Sequence, residues 1–99
     1  MTRRSRDWNE TLAEELRSPE FAREFLMAML DEGFSLQEAL AKTIRSYGVK
    51  EFARKAHMPS SNLVRSIDHQ HNPTQKTLDR LLKPLGLRLA VAPRPGKAA

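Results

Sequence analysis

The chain has 99 residues, 39% of them hydrophobic, with no Cys and with 17 Lys/Arg against 12 Asp/Glu for a net charge of +5. That length fits one domain with a modest core, and the lack of Cys excludes disulfides and thiolate metal sites. The longest apolar runs are too short to span a bilayer, and the basic start MTRRSRDWNE lacks the apolar region of a secretory signal, so a cytoplasmic protein is the expectation.

Residues 8–17 read as a short helix with Trp8, Leu12 and Leu16 on one face, or with its start moved to an Asn9 cap. A second helix is predicted over 18–32. Ser18 caps it, Pro19 occupies the first position, where its missing N–H costs nothing, and Gly33 stops it. Phe21, Ala22, Phe25, Leu26, Met29 and Leu30 give it a wide apolar face. Ser35 and Glu38 form a capping box for a third helix, whose stripe is Leu36, Leu40, Ile44 and Tyr47 and whose end is Gly48.

VKEFARKAHM (49–58) predicts a short helix with Phe52 and Ala56 inward, and SSNLVRSID (60–68), after Pro59, another with Leu63 and Ile67 inward. HQHNP (69–73) is a loop. TQKTLDRLLKPLG (74–86) is the last helix, capped by Thr74, buried through Leu78, Leu81 and Leu82, and ended or kinked by Pro84. Leu87, Leu89 and Val91 then alternate with Arg88 and Ala90. That period of two suggests a strand over 86–92 paired with another chain, or an extended tail lying on the helices. Residues 93–99 read as a disordered tail. The expected fold is all-α, one compact domain over 1–99. It comprises an acidic N-terminal helical region (7–47), a helix-turn-helix with the following helix (48–84), and the short C-terminal β-strand candidate.

Charge is unevenly placed. Residues 1–40 hold five Lys/Arg and nine Asp/Glu, whereas residues 41–99 hold twelve and three. A basic half of this kind is the footprint of a polyanion partner, most often nucleic acid. It coincides with two short helices in close succession, the pattern of a helix-turn-helix. Such a motif needs a small residue where the helices cross, here Ala53, and an apolar frame, here Phe52, Ala56, Met58, Leu63 and Ile67. It also needs small polar groups at the start of the second helix, here Ser60, Ser61 and Asn62, and a base reader one turn further on, here Arg65.

VKEFARKAHMPSSNLVRSI, followed by NPTQKTLDRLLKPLGLRLAV, resembles the Cro/repressor-type helix-turn-helix of HigA-like addiction-module antitoxins. The resemblance covers residues 9–92 and extends to the SPEFA…FL segment and the LGLRL.V ending. It implies a homodimeric protein that binds an operator palindrome in double-stranded DNA, represses its own operon and neutralises a co-encoded RelE-like toxin. The alternative is a stand-alone repressor with no toxin. Three positions depart from the family pattern: His57 where Gly is usual in the turn, Pro59 in place of a capping Ser, and Val64 where an aromatic is common.

The candidate DNA-binding residues are therefore Ser60, Ser61, Asn62, Val64 and Arg65 on the second helix. Lys50, Arg54 and Lys55 on the bracing helix, with Thr74 and Lys76 at the start of the last, are the candidates for phosphate contacts. The acidic stretch 7–38 suits a basic toxin. His69 and His71 form a His-x-His pair near Asp68 alone, too poor a donor set for a metal. Nothing in the chain resembles a nucleophile–base pair, a carboxylate dyad or a phosphate-cradling Gly loop, so no enzyme, cofactor, metal or membrane role is expected.

Overall fold

The computed structural model of the chain describes Leu12, Glu14, Glu15 and residues 17–96. Those first three residues are helical, while Trp8 and Leu16 of the helix predicted over 8–17 lie outside the described residues. Among the described residues the fold is all-α, with α1 at Pro19–Asp31, α2 at Leu36–Tyr47, α3 at Val49–Lys55, α4 at Ser60–Ile67 and α5 at Gln75–Leu82. A 3-10 turn, Lys83–Leu85, follows α5 directly.

The helix boundaries follow from the capping residues. The Ser18 hydroxyl accepts the Phe21 N–H at 3.5 Å. At Ser35 the capping box is complete: the Glu38 N–H donates to Ser35 Oγ at 3.1 Å and the Ser35 N–H donates to Glu38 Oε1 at 3.0 Å. Gly48 closes α2 and opens α3 at φ 119, a conformation L side chains rarely adopt, so the chain redirects within a single residue.

Side chains from all five helices and the 3-10 turn meet in one core. Leu26, Leu40, Ile44, Phe52, Leu63, Leu81 and Leu85 are almost entirely removed from solvent, each burial favouring the fold by about 1.5–3 kcal/mol relative to exposure. Tyr47 meets Phe52 edge-on, ring centroids 5.5 Å apart. Arg23 joins α1 to the end of the 3-10 turn by donating from Nε to the Leu85 carbonyl at 3.2 Å.

Of the two readings of 86–92, no strand is seen among the described residues, and the segment is a tail lying on the helices. A strand needs a neighbour to satisfy its N–H and C=O groups, and the helices offer side chains instead. The Leu89 N–H donates to Asp79 Oδ1 at 3.0 Å, Leu87 and Leu89 rest half-buried on the core, and Val91 stands fully exposed. The alternation therefore places Leu87 and Leu89, but not Val91, on the helices.

Gln37 on α2 fixes the far end of α4. Its Nε2 donates toward the carbonyls of Ser66 at 3.1 Å, Asp68 at 2.8 Å and His71 at 2.9 Å. Replacing it by Leu removes both donors while roughly preserving volume. Denaturant unfolding of Gln37→Leu is expected to show a loss of about 1–3 kcal/mol, the usual cost of leaving partly buried carbonyls unpaired.

Candidate nucleic-acid interface

The candidate interface begins with a reversal over residues 56–59, between the end of α3 and the start of α4. The helix predicted over 49–58 stops at Lys55 because the next residues close it. The His57 N–H donates to the Arg54 carbonyl at 3.2 Å and the Met58 N–H reaches back to the Ala53 carbonyl at 3.0 Å. This paired closure requires a left-handed residue between them, and His57 supplies it at φ 56, the one non-glycine with positive φ among the described residues. The same closure ends α1 at Gly33, where the Phe34 N–H meets the Met29 carbonyl at 3.1 Å. His57 thus performs with a side chain what glycine performs at Gly33. Arg80 on α5 steadies it, donating from Nη2 to the His57 carbonyl at 2.9 Å.

Beyond the turn, Pro59 takes the cap position of α4 in an extended conformation, and no side chain caps this end. The Pro59 carbonyl accepts the Leu63 N–H at 3.0 Å, so Ser60 is already the first helical residue. None of Ser60, Ser61 and Asn62 serves as the cap, and the positive end of α4 is left open to solvent or an anion. Ser61, Asn62, Val64 and Arg65 are exposed, and Ser60 is half-buried. Leu63 and Ile67 are buried on the opposite side with Phe52, Ala53 and Ala56 of the α3 frame.

The other candidate side chains are distributed less simply. Lys50 and Arg54 are exposed on α3. Lys55 has its ammonium 5.7 Å from the centre of the Tyr47 ring and borders a cleft with Arg80 and Lys83. Thr74 is occupied in capping α5, its hydroxyl oxygen accepting the Thr77 N–H at 3.1 Å. Lys76 is exposed beside Gln75, Asp79 and Arg88. Asp68 heads the loop after α4. Its Oδ1 accepts the Gln70 N–H at 3.0 Å, and that bond chiefly holds the carboxyl below its ordinary range. His69 and His71 place Nδ1 at 3.5 and 3.9 Å from the same carboxylate.

Pattern reading missed Gln37, Arg80 and Lys83. Gln37 carries no local signal, since its three acceptors lie about thirty residues away. A hint for Arg80 was the absence of Gly from the turn, which implied an added support for the strained residue.

No protein-family model, curated protein or solved structure matches the chain. Among the described residues no helix is long and apolar enough to cross a membrane, and no group of three side chains is arranged to hold a metal ion.

Since His57 adopts a left-handed conformation that glycine reaches without a Cβ penalty, His57→Gly should raise the midpoint of urea unfolding. The expected gain is about 0.5–1 kcal/mol, less what glycine loses through the freer unfolded chain.

Proposed function

We propose that this chain is a sequence-specific DNA-binding protein that lays α4 in the major groove of an operator. The observation that carries this reading is the uncapped, exposed start of α4, joined to α3 by a hydrogen-bonded turn and set in the basic half of the chain. Open N–H groups at a helix start favour a phosphate. Beyond them Ser61, Asn62, Val64 and Arg65 are free to meet base edges, with Arg65 able to pair with guanine through two parallel hydrogen bonds. Lys50 and Arg54 grip the backbone from the bracing helix. A dimer would set two such helices about one turn of DNA apart.

The test compares a selected duplex with random duplexes. Arg65→Ala should lose about 1–3 kcal/mol on the selected site and flatten sequence preference, while Lys50→Ala should weaken all duplexes alike and reduce the salt slope by about one. Equal losses on selected and random DNA for Arg65→Ala would remove its base-reading role.

Within this reading the biological role is that of an antitoxin, repressing its own operon and neutralising a RelE-like toxin, as the resemblance implies. An exposed acidic stripe on α1 supports it. Glu20, Glu24 and Asp31 share one face with Met27, which is 47% exposed, and such a face suits a basic partner. Expression of the small open reading frame beside this gene should arrest growth, and co-expression of this protein should restore it. A harmless neighbour would leave a stand-alone repressor.

A further inference from the structure

The turn also borders a cleft of about 340 Å³, lined by Lys55, His57, Arg80 and Lys83 over Ala56 and Pro84. Its volume lies at the low end of small-molecule sites, about 300–1,000 Å³. Three features of the cleft point to one class of ligand. First, its titratable lining is wholly cationic or imidazole, with no carboxylate, and no salt bridge neutralises Lys55, Arg80 or Lys83 among the described residues. Second, the cations come from separate places, the end of α3, α5 and the 3-10 turn, and the bond from Arg80 Nη2 to the His57 carbonyl joins two walls. That bond uses one of the five N–H donors of the guanidinium, so the planar group remains able to clasp an oxyanion. Third, His57 holds a left-handed backbone that glycine would adopt with less strain, and the side chain retained there borders the cleft.

We propose that this cleft binds phosphate groups, with Lys55, His57, Arg80 and Lys83 arranged around them. The site is distinct from the start of α4 and does not depend on base reading. Its phosphate comes either from a free phosphorylated small molecule or from the backbone of bound DNA, and the experiment separates the two.

The probe is inorganic tripolyphosphate, titrated into the full chain at low salt and followed by backbone amide NMR and calorimetry. Saturable shifts centred on residues 55–57 and 80–83 are expected. Lys83→Gln and His57→Gly should each weaken binding by about tenfold, the scale of one charge-assisted hydrogen bond. Since the glycine variant is expected to fold at least as well as the parent, its loss would not reflect unfolding. If shifts are absent, spread over all Lys and Arg, or unchanged in both variants, the cleft is only a set of cations at helix C-termini and the proposal fails. Duplex binding by Lys83→Gln identifies the source: unchanged affinity assigns the cleft to a free ligand, and a uniform loss on all sequences assigns it to backbone phosphate. Failure of the DNA reading is a separate result, since the parent protein would then bind no duplex preferentially while the tripolyphosphate titration stands by itself.

Discussion

The placement of α4 depends on a single backbone reversal, the left-handed residue His57 between two closing hydrogen bonds. An eight-residue helix has little stability of its own, so its direction must come from its ends and its buried side. At the near end, the reversal is braced by Arg80 from α5. At the far end, Gln37 from α2 collects the carbonyls that α4 and its loop leave unpaired. Between these points Leu63 and Ile67 are sunk in the common core. Two polar side chains, each bonded across a long sequence separation, and two buried apolar ones thus orient one short helix, and the exposed side chains on it inherit that orientation.

The same features explain which parts of the molecule could be read from the residue order. Helix positions were legible because their determinants are local. Ser18 and Pro19 open α1, the Ser35 and Glu38 box opens α2, Thr74 caps α5, and apolar spacing marks the buried faces. The short helix pair was legible for the same reason. The end of α3 was read three residues too far, because a closure centred on His57 has no glycine to announce it. The segment after Gly86 was read both as a strand and as a tail, since alternation records only which side chains are buried. What holds the segment, the Asp79 carboxylate and the core, is a tertiary fact. Of the candidate interface, Ser61, Asn62, Val64 and Arg65 stand exposed on one short helix. Thr74 is engaged in a cap, and Lys55 turns toward Tyr47 and the cleft. Gln37 and Arg80 escaped notice because their partners lie far away in the chain.

The charge division has a structural counterpart. The acidic residues of α1 lie on its outer face, while α3, α4 and α5 expose Lys50, Arg54, Lys55, Arg65, Lys76 and Arg80. Charge divided in this way bears on the approach of a charged partner before contact.

Pro59 gives the start of α4 a further meaning. A serine there would satisfy one of the open N–H groups and favour the folded chain by about 0.5–2 kcal/mol. The proline fixes its own φ but offers no side-chain acceptor, so the free protein leaves that hydrogen-bonding capacity to water. An oxyanion settling on the helix start would complete the missing cap. Stability forgone in isolation would then return as affinity, and the first turn of α4 would exchange its amide hydrogens more slowly when occupied than when free.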